Sequence, residues 1–342
     1  MPLLTPPPPS TPAELLLTCT VGELLASENI KPVYLSATAT VEEGCDCLTE
    51  RNVSSVPLYD SASDSFIGLL DFRDLATYVL KIFHKTPTEN RFSVDAEMGL
   101  HDVVKMAQID KQAVPVHMIA NLSKRDSLVS IDSSALLLDA CKLLVQEKVH
   151  RLVVFSNTVT KGPEKFVGVV SESSINKFVA HAFGKLGGAK KIPGAVWDKG
   201  EKPLAELGLV KGNVVSIQKE DSVLDALGIM HDKGISSVAI IEGDDHLIGT
   251  ISMTDIREIL KSRRDWKHLY DRVFNFFQST ISKAGLERGQ DRVPSVVVRT
   301  QTSLLMTMER MAGTHVHRLW IVENGDRLCG ILSLSDIMPQ LL

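Results

Sequence analysis

Apolar and polar positions along this chain switch repeatedly between a helical and a strand period. From Ser222 to Gly234 the apolar residues Val223, Leu227 and Met230 fall at helical spacing, with a serine before the run and a glycine after it. That pattern predicts a helix with its own start and stop. GISSVAIIE, from Gly234, follows as a β-branched run closed by turn residues, which predicts a strand. The same kind of block stands in NVSSVPLYD from Asn52, KVHRLVVFS from Lys148 and HVHRLWIVE from His315. Each leads into a second strand built around a glycine and then a helix. These stretches are FIGLLDFRDLATYVL at Phe66, FVGVVSESSINKFVA at Phe166, LIGTISMTDIREILK at Leu247 and LCGILSLSDIMPQLL at Leu328. Their glycines are Gly68, Gly168, Gly249 and Gly330, and the last two intervals are both 81 residues.

The chain is therefore four copies of one unit: short strand, helix, strand, turn, strand, helix. The fold class is α/β (α+β), with β-α-β-β-α units. A unit of about 60 residues is marginal alone by surface-to-volume scaling. Back-to-back pairing of copies buries the sheet face and the apolar helix faces, which predicts two modules. The divisions read as a proline-rich disordered tail over 1–17, the first unit over 18–86 and the second over 87–186. A linker over 187–201 follows, then the third unit over 202–264, and a connecting helix with the fourth over 265–342. The break between modules is placed in LGGAKKIPGAVWDKGEKP, residues 186–203, where glycine, proline and lysine replace periodicity. In the connecting stretch Val273, Phe276, Phe277 and Ile281 recur at helical spacing, a pattern read as core packing rather than a partner-binding helix.

Composition narrows the classes. The 342 residues are 44% hydrophobic and 23% charged, enough for a buried core. A net charge of −5 gives no global attraction to nucleic acid or an anionic membrane. Cys19, Cys45, Cys47, Cys141 and Cys329 are an odd, scattered set that suits a reducing compartment. Cys45 and Cys47 lie in a predicted helix, VEEGCDCL, without a His or further Cys at ligand spacing, so no metal site is expected. No apolar run approaches the roughly 20 residues of a membrane span. The opening MPLLTPPPPSTPAE lacks the charged and apolar regions of a secretory signal. A cytoplasmic or nuclear location is expected.

The order of elements, with S-x-x-D closing the last strand and His-Arg opening the second, resembles the CBS domain. Four copies in one chain resemble the γ subunit of the AMP-activated protein kinase. They are also similar to fungal tandem-CBS proteins, related to that subunit, that restrain a type 2A-like phosphatase. The resemblance covers residues 18–342. It implies two Bateman modules in a pseudo-symmetric disc, with AMP, ADP or ATP in clefts between paired sheets. In that family an acidic residue opening the last helix binds both ribose hydroxyls, and nearby hydroxyl, histidine and arginine side chains meet the phosphates.

Carried over residue by residue, the resemblance makes Asp336, Asp255 and Asp74 the ribose carboxylates. Ser252, Thr254, Ser333 and Ser335, with His150, Arg151, His317 and Arg318, become the phosphate partners. The chemistry stands by itself: a carboxylate accepts two hydroxyls of a cis-diol, and arginine bonds phosphate bidentately. In the first copy Asp71 replaces the hydroxyl residue and would repel a phosphate. The second copy has Ser174 at the acidic position, so its ribose site is expected to be dead. Ser54-Ser55 and Ser236-Ser237 stand where the kinase subunit tends to carry arginine, which implies fewer phosphate partners. The alternative reading of Ser252-x-x-Asp255 and Ser333-x-x-Asp336 is a helix-capping box, and Asp74 also reads as a first-turn carboxylate.

Catalytic motifs are missing: there is no GxSxG, HExxH or P-loop, and no Cys–His pair in a recognisable context. The expectation is a non-enzymatic regulator with no cofactor, binding adenine nucleotides and reporting to a protein kinase complex. The alternative is a stand-alone interaction protein, such as a phosphatase regulator, with vestigial nucleotide sites.

Overall fold

A computed structural model describes residues 9–28, 31–83, 113–159, 161–184, 197–261, 266–288 and 295–342. Each copy contributes the same three strands, and those of the third and fourth copies join through Arg327 and His246 into one six-stranded sheet. The first has β1 (Leu35–Ser36), β2 (Ser55–Asp60) and β3 (Ser65–Asp71), and the second β4 (Ser130–Asp132), β5 (Arg151–Phe155) and β6 (Phe166–Ser171). The third has β7 (Ser216–Gln218), β8 (Ser237–Glu242) and β9 (His246–Ser252), and the fourth β10 (Val297–Val298), β11 (Arg318–Glu323) and β12 (Arg327–Ser333). In every copy the first pair is parallel and the second antiparallel. The parallel crossover is the predicted helix: Val41–Glu50, Leu137–Glu147, Val223–Lys233 or Leu304–Thr314. Ser222 and Gly234 do cap Val223–Lys233, the glycine at φ 64°.

The segment leading into each copy packs on the other copy of its module. Val21 N–H donates to Ala135 O and Leu137 N–H to Cys19 O, while Val41 N–H donates to Val114 O and Val116 N–H to Ala39 O. The second module repeats the exchange through Leu204 to Thr302, Leu304 to Lys202, Val223 to Asp271 and Val273 to Asp221. This explains the glycine on which the copies align. A Cβ on Gly249 would lie 2.6 Å from the ring of Phe277, and one on Gly168 would lie 3.1 Å from Leu25, both in leading segments. The glycine is where the partner's segment crosses the strand. Val273, Phe276 and Phe277 are core, as their spacing suggests; the Ile281 side chain lies outside the described residues.

Inside a module the sheets also pack on each other. Leu69, Val153 and Phe166 join the first two copies, and Ala239, Leu247 and Trp320 the last two. The helix faces are buried between modules instead. Leu75 and Val79 meet Leu227, Met230 and Ile256 of the third copy, and Ile175 and Val179 meet Met308 and Met311 of the fourth. Back-to-back pairing thus covers the sheet faces, and the second module covers the helix faces. The four units close a pseudo-symmetric ring.

Part of the span read as a tail is helical. Thr11 caps a helix over Pro12–Leu16 with Pro12 in its first turn, and Leu15 and Leu16 are buried in the core of the second and fourth copies. Leucines that can be buried outweigh the proline-rich composition around them. Residues 1–8 lie outside the described part, as do 84–112, where the second unit was placed to begin, and 185–196 of the inter-module break. From Trp197 onward that break is packed, with Trp197 and Leu204 in the same core. No helix among the described residues is long and apolar enough to cross a membrane.

Candidate functional site

A cleft of about 890 Å³ opens where the four units meet. Among the described residues, eight lysines and arginines line it against three carboxylates, Glu147, Glu172 and Asp336, although the whole chain carries −5. Such a concave, cationic wall attracts anions.

Both His-Arg pairs reach this wall because β5 and β11 start at equivalent points of copies that pack helix on helix. His150, Arg151, His317 and Arg318 all line the cleft. Behind them sits Asp126, 5% exposed, which organises one side. Its carboxylate accepts from His150 N–H at 3.0 Å, lies 2.9 Å from His150 Nδ1 and pairs with Arg73 at 3.2 Å and Arg151 at 3.7 Å. Burial alone would raise its pKa. The hydrogen bond from His150 and the charges of Arg151, His150 and Arg73 outweigh burial and hold it well below the usual carboxylate range. His317 is exposed on the cleft, with the arginines of the wall crowded around it. Desolvation by the surrounding wall, followed by the charges of Arg151, Arg318, His150 and Arg73, pushes its pKa down to about 4.

The serines that replace arginine are not gaps in the wall. Arg151 Nη1 donates to Ser54 Oγ at 3.5 Å, and both Arg73 and Arg318 donate to Ser236 Oγ. Further cations come from Lys31, Arg73, Lys124, Arg125, Lys148 and Lys211. The cleft is therefore richer in cations than the repeated blocks alone suggest. Most of these residues lie outside the repeated blocks, where comparing copies has nothing to align.

The four acidic positions share one task and divide over another. Asp74, Ser174, Asp255 and Asp336 each accept the backbone N–H three residues earlier, at 3.2, 2.9, 2.7 and 2.8 Å. All four therefore cap a helix, and in the second copy a serine does so without a charge. Only Asp336 also lines the cleft, with Ser333 and Ser335 beside it. Its Oδ2 accepts from Ser333, while Oδ1 pairs with Lys211.

Asp74 is turned inward, accepting from Asn121 N–H at 3.2 Å and Ser123 N–H at 2.9 Å. Burial, then the neighbouring charge of Asp71, raises its pKa to about 7. Asp71 accepts from Arg73 and Asp74 N–H and lies 3.9 Å from Arg151, so the structure makes it a cap facing a cation. Ser252, Thr254 and Asp255 are bonded to one another and lie outside the cleft. The carry-over of Asp74, Asp255, Ser252 and Thr254 as ligand residues is therefore not supported by their placement.

Glu172 was passed over in the sequence. Its N–H bonds the carbonyl of His150 at 3.1 Å, and its Oε2 accepts from Ser335 Oγ at 3.1 Å, joining the second copy to the fourth. A signal was available. The other copies put Phe72, Met253 and Leu334 at this position, all buried.

Comparison with known proteins agrees with this architecture. CBS domain matches fall at residues 21–81, 119–181, 206–262 and 291–342. The chain is 27% identical to Protein SDS23 of Kluyveromyces lactis, covering 92% of this chain and 61% of that protein. It is 29% identical to Protein SDS23 of Yarrowia lipolytica, covering 91% and 64%. The chain thus spans about three-fifths of the length of these relatives. The crystal structure of a Methanocaldococcus jannaschii protein, described as a candidate archaeal homolog of γ-AMPK, superposes with a TM-score of 0.66. The superposition has 12% identity and covers 92% of this chain and 97% of that one.

Proposed function

The chain belongs to the CBS-domain family, and from that premise we propose a non-catalytic regulatory protein whose central cleft takes an adenine nucleotide and transmits its occupancy to a protein partner. The observation that carries this reading is the setting of Asp336. It stands with Ser333 and Ser335 on a wall that also presents His150, Arg151, His317 and Arg318. A carboxylate suits a ribose cis-diol and the arginines suit a phosphate. Val149, Val169 and Ile331 add apolar surface for a purine. AMP, ADP and ATP share this chemistry. The partner, by the resemblance to a γ subunit, is a protein kinase complex.

A second reading is favoured by specific observations. Lys211 holds Asp336 and Glu172 holds Ser335, so the protein's own charges engage two of the groups a nucleotide needs. The fungal relatives add to this the reading of a stand-alone interaction protein, such as a phosphatase regulator, with vestigial sites. Titrating the chain calorimetrically with AMP, ADP and ATP is the test. Saturable binding of AMP supports nucleotide sensing, and no heat with any of the three leaves the interaction protein. Affinity capture from source cells with and without AMP then separates kinase from phosphatase subunits.

A further inference from the structure

Among the three carboxylates that line the cleft, Glu172 is the one that the sheet-to-helix turn of the second copy aims at the fourth. Its residue is 7% exposed, and Ser335 Oγ donates to it from a site expected to meet phosphate. His150 and Arg73 act on its charge, and it acts in turn on Arg318. These are the cations a phosphate would have to use. We propose that Glu172 is a resident anion that limits how much negative charge the cleft admits, favouring a monophosphate over a di- or triphosphate. This rests on the reading of the cleft as a nucleotide site and adds the residue that sets its selectivity.

Geometry and chemistry support this assignment. The equivalent positions Phe72, Met253 and Leu334 are apolar and buried, so the helix start does not need an acid there. The carboxylate is not neutralised in the manner of Asp126, which has Arg73 and Arg151 within 3.7 Å and His150 Nδ1 at 2.9 Å. Burial raises the Glu172 pKa, with His150 opposing, as expected for a carboxylate that lacks full compensation. A ligand bringing further phosphates adds like charge beside it, and that repulsion grows with each phosphate.

The experiment compares parent, Glu172→Gln and Glu172→Asp in magnesium-free titrations with adenosine, AMP, ADP, ATP and inorganic pyrophosphate at one ionic strength. Glutamine keeps an acceptor for Ser335 and removes only the charge. The gain in Glu172→Gln is expected to rise with ligand charge: nothing for adenosine, about threefold for AMP and about tenfold or more for ATP. Glu172→Asp, which keeps the charge, is expected to retain the parent's order of affinities. An equal change for all ligands, or none, overturns the proposal and leaves Glu172 a structural residue. Pyrophosphate separates this from the nucleotide reading. Gain of pyrophosphate binding by Glu172→Gln, with no AMP binding in any form, upholds the charge limit and discards the nucleotide. No gain with either pyrophosphate or ATP discards the charge limit even where AMP binds.

Discussion

Lys211 and Asp336, 125 residues apart in sequence, form an ion pair on the wall of the cleft. The pair exists because the segment leading into the third copy crosses the last strand of the fourth, where Lys211 bridges Ile331. The lysine side chain is 61% exposed, so the pair is worth little and the ammonium can leave the carboxylate at small cost.

Asp336→Ala and Asp255→Ala should therefore separate binding from capping. Each variant loses one helix cap, at about 1 kcal/mol. Only Asp336 faces the cleft, and losing its charged hydrogen bonds to a ribose should weaken AMP binding by about a hundredfold. Asp255→Ala should bind AMP like the parent. Calorimetry decides it, and equal affinity of the two variants would reduce Asp336 to a cap.

The repeat, its element order and its module pairing were legible because hydrophobic period and turn chemistry are local. The S-x-x-D motif was half legible. Sequence showed that Asp74, Asp255 and Asp336 are equivalent in the repeat, and they are equivalent as caps. It did not show which one faces the shared cleft, because that depends on how the two modules pack. Arg125 and Lys211 were missed for a related reason. They lie on exchanged leading segments and become cleft residues only when one copy crosses its partner. Pro12–Leu16 was misjudged as tail because prolines and leucines close together carry no period, and the core that receives Leu16 is over a hundred residues away.

Removing the Asp126 charge should expose its organising role. Asp126→Asn leaves Arg73, Arg151 and His150 without their buried counter-charge, a loss of about 3–5 kcal/mol by analogy with broken buried pairs. Its folded pKa is depressed. The stabilisation is thus present above the unfolded value near 4 and is lost as pH falls through the folded value. In urea titrations the stability gap between parent and variant should be widest at neutral pH and shrink on acidification below about pH 4. A gap that does not change with pH would assign the loss to shape rather than charge.

Asp74 should behave with the opposite sign. Its folded pKa is raised to about 7. The folded state therefore holds the proton more tightly, so this group's contribution is full below about pH 4 and declines as pH rises toward 7. Asp74→Asn cannot titrate, so the parent should lose stability relative to it over that window, by at most about 4 kcal/mol. The comparison uses denaturant midpoints at several pH values. A parent that gains on the variant instead would mean that the N–H groups of Asp71, Asn121 and Ser123 favour the ionised form enough to overcome burial.

Gly234 offers a test of the cationic wall without touching a charged residue. It ends the helix Val223–Lys233 at φ 64°, and the guanidinium of Arg125 lies where a Cβ would be. Gly234→Ala therefore brings two effects. The left-handed backbone costs about 1 kcal/mol, and Arg125, held only at the end of a flexible chain, is pushed from its place on the cleft. Gly243→Ala is the control, because Gly243 has φ 62° and nothing within 4 Å. Both variants should lose similar stability in urea. Only Gly234→Ala should also weaken binding of AMP and of pyrophosphate, by about threefold to tenfold for one displaced cation. Unchanged anion binding in Gly234→Ala would take Arg125 off the list of ligand-facing residues.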